Sequence, residues 1–332
     1  MNTDIYEYFI TVVQEKSISR AAERLYITQQ SLSAQMQRLE EHLGVTLFTR
    51  KPTFRLTVAG ERFLPYCQSI CNSERYMEAE MATMSGSGTA KLLLGCTRLR
   101  ASVYLPEIWE HFHALHPNVI VSGYERESDT LVSMMQNGDL DMAIAVNVEE
   151  DPAYKRIPLT EETLYCVLSE KLIQKYWKGG ITDFAQRFRS GLDLTQLAAF
   201  PFVLLSRRNK ARRELDLFFR ANKISPNIVV ETNMQDIVYD LSVKGHGVGI
   251  LSRTFFTRQR TFQEDAEPHY ILYIKNELKP IQPYLLVSNR MDSIFLRDIV
   301  SITSSVILSS VPVARRQIEL HNQKVDQMLG FE

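Results

Sequence analysis

The chain has 332 residues, of which 45% are hydrophobic and 23% are charged. Because this length exceeds what one hydrophobic core usually organises, two or more domains are expected. No apolar run approaches the roughly 20 residues that span a bilayer, and the first residues lack the pattern of a signal peptide. We therefore expect an ordinary globular protein of the cytoplasm with no membrane partner.

Charge and cysteine content narrow the function only a little. The formal net charge of −1 gives no global indication of a nucleic-acid partner, although phosphate binding needs only locally placed Lys and Arg. The four cysteines include no Cys-x-x-Cys pair, which disfavours a structural zinc site. Cys67 and Cys71 lie four residues apart on one face of a predicted helix, where packing is favoured over redox sensing or metal binding. We expect neither a metal site nor a cofactor.

Three short helices are predicted in the first 44 residues. Residues 5–13 carry apolar side chains at helical spacing. Ser17 or Ser19 can then cap a second helix, whose paired alanines let a neighbouring helix approach closely. Thr28 can cap a third helix, which Gly44 ends. Two short helices joined by a tight turn predict a helix-turn-helix, and its second helix would read DNA.

A hairpin and a long helix follow. Residues 45–57 alternate apolar and polar side chains around a turn at "KPT", which predicts a small wing. A helix is predicted from residue 58 to about residue 84, and Pro65 is a candidate for a kink in it. The apolar stripe of this helix needs a partner, and the helix ends in a Ser/Gly stretch at 85–89. We therefore predict a dimerising linker helix followed by a hinge.

From residue 90 the sequence alternates short apolar runs with helical stretches. This βαβαβ pattern predicts parallel strands with right-handed helical crossovers, and a second such series follows. Two more strands come after residue 267, and then a helix from about Ser293 to Ser309. We expect two α/β lobes, the first comprising about 90–163 and 268–309 and the second about 164–267, with a C-terminal extension at 310–332.

Several motifs occur in a fixed order along the chain. The stretch "SISRAAERLYITQQSLSAQMQRLEEHLGVTLFTRKPTFRLTVAGERFL" contains paired alanines, glutamines and serines opening a helix, "LE..LG..LF.R" and "LT.AG". It resembles the amino-terminal signature of LysR-type transcriptional regulators. "LLLG", "HPNV", "GDLDMAIA" and "VKGHGVGILS" follow in that family's order, so the resemblance covers roughly residues 5–309. The stretch 174–191 is longer than usual, and residues 310–332 extend past the usual end.

The resemblance implies a fold and an order of domains. An α+β winged helix-turn-helix domain (1–57) would be followed by a long linker helix and hinge (58–89). An α/β effector-binding domain (90–309) would come next, with two lobes like those of a periplasmic binding protein. The resemblance also implies DNA with two-fold related half-sites as a partner, and self-association as a dimer or tetramer.

The third helix supplies most of the candidate DNA-binding residues. Leu32, Met36, Leu39 and Leu43 recur at helical spacing and mark its buried stripe. The polar residues therefore face elsewhere, where Gln can pair with adenine in the major groove and Ser or Thr can contact a phosphate. Basic residues of the hairpin could reach flanking phosphates or the minor groove. The alternative is a solvated helix and turn. The candidates are Ser19, Thr28, Gln29, Gln30, Ser31, Ser33, Gln37, Arg50, Lys51 and Arg55.

A ligand cleft is expected where the carboxyl ends of the strands meet. The loop "CTRLRAS" follows the first strand of lobe one, so its polar side chains and helix-end N–H groups could converge on an anion. Arg98 and Arg100 suggest an anionic effector such as a carboxylate, unless they face solvent or an acidic neighbour. The family often has Ser or Thr where this chain has Leu99. With the positions that the resemblance implies, the candidate effector-binding residues are Thr97, Arg98, Leu99, Arg100, Ser102, Ser128, Asn147, Ser206 and Asn233.

No motif in the sequence indicates catalysis, since there is no Walker A lysine motif, nucleophile elbow or metalloprotease motif. We therefore expect a non-enzymatic, sequence-specific transcriptional regulator, whose DNA binding or bending responds to a small-molecule effector in the cleft. Two alternatives remain. One is a solute-binding or enzymatic α/β protein with an incidental helical N-terminal domain, and the other is a regulator governed by partners or by oxidation.

Overall fold

The computed structural model describes residues 3–49, 53–84, 90–257, 267–276, 278–279, 281–289 and 293–330. The N-terminal part contains α1 (Asp4–Glu15), α2 (Ile18–Arg24), α3 (Gln29–Leu43) and the antiparallel strands β1 (Phe48–Thr49) and β2 (Arg55–Leu56). Their apolar side chains form one core. The predicted winged helix-turn-helix is confirmed. Its fully buried residues include Phe9, Val12, Leu32, Met36 and Leu47.

Side-chain caps set the starts of α2 and α3. The Ser17 hydroxyl accepts the backbone N–H of Arg20 at 3.4 Å, so Ser17 caps α2 and Ser19 does not. Thr28 Oγ1 accepts the backbone N–H of Ser31 at 3.2 Å, as the sequence predicts. Each cap satisfies one of the N–H groups that a helix start leaves without an intrahelical partner.

The C-terminal end of α3 is joined to the wing. Gly44 has φ 68°, the left-handed conformation that ends the helix. Glu40 Oε1 accepts the backbone N–H groups of Leu47 at 2.6 Å and Phe48 at 3.1 Å, so this carboxylate fixes the wing against α3. The expectation that Leu43 belongs to the buried stripe is wrong. Leu43 is 37% exposed, because it is the last residue of α3 and lies beyond the core.

Helix α4 runs from Val58 to Met84, with Pro65 inside it. Gly60 allows its first turns to pass close to the wing, since a Cβ on Gly60 would stand 2.3 Å from the Leu47 carbonyl oxygen. Further along, Cys67 is fully buried against α1. Other apolar side chains of α4 are exposed in the part of the chain that the structure describes. They are Val58, Tyr66, Ile70, Met77 and Met81.

Lobe one is a five-stranded mixed sheet in the order β4-β3-β5-β12-β6. Strand β3 pairs in parallel with β4 and β5, whereas β12 pairs in antiparallel with β5 and β6. The sheet therefore contains two antiparallel pairings besides the predicted parallel ones. Its elements are β3 (Ala90–Cys96), α5 (Arg98–Leu115), β4 (Val119–Glu125), α6 (Ser128–Asn137), β5 (Met142–Val146), β6 (Tyr154–Pro158) and β12 (Pro283–Ser288).

Lobe two repeats this arrangement with the order β11-β7-β10-β8-β9. Strand β8 is parallel to β9 and β10, and β7 is antiparallel to β10 and β11. Its strands are β7 (Leu164–Ser169), β8 (Pro201–Leu205), β9 (Asn227–Thr232), β10 (Val248–Ser252) and β11 (His269–Tyr273). Its helices are α7 (Glu170–Tyr176), α8 (Gly180–Phe188), α9 (Lys210–Ala221) and α10 (Gln235–Val243).

Two details of lobe two differ from, or add to, the prediction. Strand β11 was expected in lobe one, but it pairs with β7 because β7 offers a free edge before the chain returns to lobe one. The long stretch 174–191 adds α8, whose Phe184 and Phe188 pack around Trp177 in the lobe-two core. The other predicted domain limits stay predictions.

Helix α11 (Ile294–Met328) is twice as long as expected, because the predicted extension continues the helix instead of leaving it. Its first half packs in the lobe-one core and its second half on lobe two, where Ile318 and Val325 are buried. The Asn322 side chain accepts the Ile271 N–H at 3.0 Å and donates to the Ile271 carbonyl at 2.8 Å. The second half of α11 thus covers the outer edge of β11 and connects the two lobes.

Helix α11 is unusually long and apolar. In the part of the chain that the structure describes, it is the one helix long and apolar enough to cross a membrane by length and composition. Side chains such as Phe295, Ile299 and Val306 are buried in lobe one. Packing inside the fold accounts for part of its apolar character, since 33% of its most apolar stretch is buried.

Candidate DNA-binding surface and effector cleft

The front of α3 presents a polar surface. Leu32, Met36 and Leu39 are buried on one side, which turns the opposite side of the helix toward solvent. Gln37 Nε2 donates to Glu41 Oε1 at 3.0 Å, so part of its bonding capacity is used within the helix. The predicted residues that are exposed are Ser19, Thr28, Gln29, Gln30, Ser31 and Gln37, whereas Ser33 is half-buried.

Three residues outside the predicted set lie on or beside this surface. Ala34 and Arg38 are exposed at positions four and eight residues after Gln30, on the same face of α3. Extending the helical periodicity by two turns would have found them. Tyr26 is 97% exposed, in the turn between α2 and α3. No sequence pattern indicates that an aromatic ring there stays outside the core.

The wing contributes one described basic residue. Arg55 is exposed, and its carbonyl accepts the Thr49 hydroxyl at 3.2 Å across the hairpin. Arg50 and Lys51 lie outside the described residues.

A cleft of about 290 Å³ separates the two lobes. Four helices start at its walls, α5 and α6 in lobe one and α9 and α10 in lobe two. The N-cap residues of α5, α6 and α10 make no side-chain capping bond. Backbone N–H groups at those three starts are therefore available to an anion. The predicted residues that line the cleft are Thr97, Arg98, Leu99, Arg100, Ser102, Ser128 and Asn233.

Two predicted effector residues, Asn147 and Ser206, do not line the cleft. Asn147 has φ 48°, and its side-chain oxygen accepts the backbone N–H of Gln282 at 2.8 Å. The Ser206 hydroxyl donates to the Asn233 side chain. The Asn147 side-chain oxygen and the Ser206 hydroxyl are therefore engaged within the protein.

Arg100 already has an anionic partner. Its Nη2 lies 2.6 Å from Glu162 Oε1, and both side chains are almost fully buried. Thr254 of lobe two also donates to Glu162 Oε1, at 2.6 Å. Burial alone would lower the pKa of Arg100, but the Glu162 carboxylate raises it above its usual range. Of the two arginines expected to meet an anion, Arg100 faces an acidic neighbour, and Arg98 is the exposed one.

A second set of polar contacts crosses the cleft, between Asp129 and Asn147 of lobe one and Lys210 and Arg213 of lobe two. We call these four residues the inter-lobe latch. Lys210 Nζ lies 3.0 Å from Asp129 Oδ1 and donates to the Asn147 carbonyl at 3.0 Å. Arg213 Nη2 lies 3.3 Å from Asp129 Oδ2. Burial alone would raise the pKa of Asp129, but the bonds from Lys210 and Arg213 lower it. These cations are absent from the predicted site residues, although "SRRNKARR" directly after β8 marks them.

Leu99 differs from the polar residue that the family often has at this position. It is buried and belongs to a cluster with lobe-two residues such as Tyr165 and Leu251. Leu99 therefore supplies apolar contact between the lobes at the edge of the cleft. Its apolar side chain has no hydrogen bond to offer an effector.

Both the N-terminal helices and the two-lobed domain match known protein families. Residues 4–61 match the family described as bacterial regulatory helix-turn-helix protein, lysR family, and residues 85–265 match the LysR substrate binding domain. The second match alone spans more than half of the chain. The chain belongs to the LysR family.

Individual relatives agree with this assignment. The uncharacterized HTH-type transcriptional regulator YybE of Bacillus subtilis (strain 168) is 25% identical over 252 residues, which cover 76% of this chain and 82% of YybE. The HTH-type transcriptional activator IlvY of Salmonella typhimurium is 25% identical over 245 residues, 73% of this chain and 79% of IlvY. The structure of ArgP from Mycobacterium tuberculosis is similar with a TM-score of 0.64 at 17% identity, covering 91% of this chain and 96% of ArgP. At that identity the likeness shows the fold.

The match settles the main alternative. This LysR-family chain carries the family's regulatory helix-turn-helix domain and its substrate-binding domain together, so its helical N-terminal domain is not incidental. The protein is a DNA-binding transcriptional regulator with an effector-binding domain, and the solute-binding or enzymatic alternative is disfavoured.

The cysteines give no support to regulation by oxidation. Burial raises the pKa of Cys67 to about 12, of Cys96 to about 12 and of Cys71 to about 11. The thiolate is the reactive form of cysteine, so these thiols react slowly near neutral pH. Among the described residues, no group of three or more His, Cys, Asp or Glu side chains could hold a metal ion.

Proposed function

We propose that this LysR-family regulator binds double-stranded DNA at two-fold related half-sites, in the cytoplasm, as a dimer or tetramer and without catalysing a reaction. The observation that carries the DNA-binding part is the polar front of α3, held outward by its buried stripe of Leu32, Met36 and Leu39. Such a helix start can enter the major groove, where Gln30 and Gln37 would meet base edges and Thr28 a phosphate.

The exposed face of α4 supports self-association. Met77 is 57% exposed and Met81 52%, one helical turn apart on a helix that leaves a small domain. Apolar side chains in that position are stabilised when a second copy of the helix covers them. We propose residues 58–84 as the dimerising linker, which would place two α3 helices on one DNA duplex.

The cleft supports an anionic effector. Three uncapped helix starts and the exposed Arg98 and Arg208 surround it, and these groups favour a negative charge. An effector changes DNA binding only if it prefers one arrangement of the lobes over another. Its carboxylate would supply that preference by contacting both walls at once.

DNA binding can be tested by fluorescence anisotropy of the full chain on the promoter DNA of the adjacent gene. Gln30→Ala should change the preference among base substitutions in that DNA, whereas Arg38→Ala should weaken binding to every sequence and reduce its salt dependence. Lys244→Ala removes an exposed cation of lobe two and serves as the charge-matched control. Equal, sequence-independent losses for Gln30→Ala and Arg38→Ala would contradict base reading by α3.

A further inference from the structure

The inter-lobe latch has the geometry of an occupied carboxylate site. Asp129 presents one oxygen to the Lys210 ammonium and the other to the Arg213 guanidinium, at 3.0 Å and 3.3 Å. Lys210 and Arg213 are three residues apart on the first turn of α9, so one face of that helix start presents both cations. The positive end of the helix dipole adds to the same field.

Lys210 and Asp129 differ in how far their side chains are exposed to water, and therefore in how much each needs its partner. The Lys210 side chain is only 15% exposed, whereas the Asp129 side chain is 67% exposed. A covered ammonium needs a negative partner, because burial without one is unfavourable. An exposed carboxylate can move into water at little cost, since exposed ion pairs contribute little to stability. Lys210 therefore needs a negative partner, and Arg213, whose side chain is 46% exposed, needs one less, while Asp129 does not need to be that partner.

We propose that Lys210 and Arg213 form the carboxylate-binding subsite of the effector cleft, and that Asp129 occupies it in the protein without effector. The effector's carboxylate replaces Asp129 between the two cations, one oxygen on each. Both cations line the cleft beside the uncapped starts of α6 and α10, so a ligand in the cleft can reach them. This inference rests on the proposed effector function of the cleft and adds the group that the effector must carry.

The exchange also links binding to the position of the lobes. Asp129 belongs to lobe one and the two cations to lobe two, so the latch holds the walls together. Once a ligand takes the cations, Asp129 no longer joins the lobes, and only the Lys210 bond to the Asn147 carbonyl remains of the described latch contacts. A carboxylate ligand thereby distinguishes a latched arrangement from an unlatched one, as a population shift requires.

Substituting Asp129 separates this mechanism from simple attraction of anions. In Asp129→Asn the subsite loses its internal competitor, so small carboxylates should bind more tightly. If the latch is formed nine times in ten, the apparent affinity should rise about tenfold. Loss of an acidic residue also makes the cleft more positive, so Glu110→Gln, an exposed acid on α5, serves as the charge-matched control and should leave binding unchanged.

The test uses full-length protein and a defined set of probes: benzoate, succinate and inorganic phosphate, with benzamide and succinamide as neutral counterparts. Binding is measured by thermal shift and by quenching of tryptophan emission in wild type, Asp129→Asn, Lys210→Gln, Arg213→Gln and Glu110→Gln. We expect Asp129→Asn to bind at least one carboxylate more tightly than wild type does and its amide no better. Lys210→Gln and Arg213→Gln should each reduce carboxylate binding at least tenfold while circular dichroism stays unchanged.

Several outcomes would overturn the proposal. These are unchanged or weaker carboxylate binding in Asp129→Asn, amides that gain as much as carboxylates, or phosphate that gains more than either. DNA anisotropy in the same samples separates this inference from the proposed function. A carboxylate that alters DNA binding equally in wild type and Lys210→Gln keeps the effector function and rejects the subsite. Tighter binding in Asp129→Asn that never affects DNA binding keeps the subsite and rejects the effector function.

Discussion

The surface of α3 and the effector cleft use polar residues in different ways. On α3 they project from one helix, whose orientation is set by a stripe of buried side chains on its other side. In the cleft, polar groups from two lobes bond to one another, Arg100 to Glu162 and Lys210 to Asp129. Stability and binding can therefore be separated on α3, whereas in the cleft one side chain contributes to both.

The largest effect is expected at the bottom of the cleft. Glu162→Gln should lower the free energy of unfolding by about 3–5 kcal/mol, because it leaves the buried Arg100 without its counter-ion. Glu150→Gln serves as the comparison, because the Glu150 side chain is 86% exposed in its ion pair with Arg156. This variant should change the free energy of unfolding by about 1 kcal/mol or less. Urea unfolding followed by tryptophan fluorescence measures both. A loss below about 1 kcal/mol in Glu162→Gln would show that the cleft is not held by this pair.

On α3 a comparable loss of stability should come from substitutions on the buried side of the helix, which faces away from DNA. Met36→Ala removes a fully buried side chain and should lower stability by about 2–5 kcal/mol. Gln30→Ala, at an exposed position of the same helix, should change it by less than about 0.5 kcal/mol while altering DNA recognition. Circular dichroism during urea unfolding tests this separation. Comparable destabilisation by the two variants would mean that Gln30 is part of the core.

Lowering the pH should destabilise the effector-binding domain more than the DNA-binding domain. His269 of lobe two is buried against Tyr239 and His321, and burial lowers its pKa to about 4 from 6.5. Between pH 6.5 and 4 the unfolded chain binds a proton that the native domain does not, so stability falls as the pH falls through this window. At pH 5 the loss should be about 2 kcal/mol. Burial also lowers the pKa of His321, in the same direction.

The DNA-binding domain provides the contrast, since its described histidine, His42, is exposed. Both tryptophans, Trp109 and Trp177, lie in the effector-binding domain, so their fluorescence reports that domain alone. Its unfolding midpoint should move to lower urea between pH 7 and pH 5, whereas the transition of the helix-turn-helix, followed by DNA binding, should move less. Equal shifts would contradict a role for the buried His269.

The same contrast explains what the sequence could predict. The α3 surface follows from periodicity, caps and one stop residue, which are all local, so Thr28, Gln30 and Gly44 were identified correctly as cap, exposed residue and stop. The cleft depends on which loops meet after folding. Nothing local shows that Glu162 reaches Arg100 or that Asp129 reaches Lys210, which are separated by 62 and 81 positions, so those partners were missed. The length of α11 was missed although Ala314, Ile318 and Val325 continue its apolar spacing.

The smallest effect concerns Thr28, which combines a cap with a predicted phosphate contact. Thr28→Ala should lower stability by about 1 kcal/mol, because the N–H of Ser31 loses its acceptor. Thr28→Asp keeps an acceptor for that N–H, so its stability should stay within about 0.5 kcal/mol of wild type. The new carboxylate would face the DNA backbone, however, and should weaken binding to all sequences, most strongly at low salt. Only the loss of affinity depends on DNA, whereas the change in stability does not. Wild-type DNA affinity in Thr28→Asp would therefore place the start of α3 away from the phosphates.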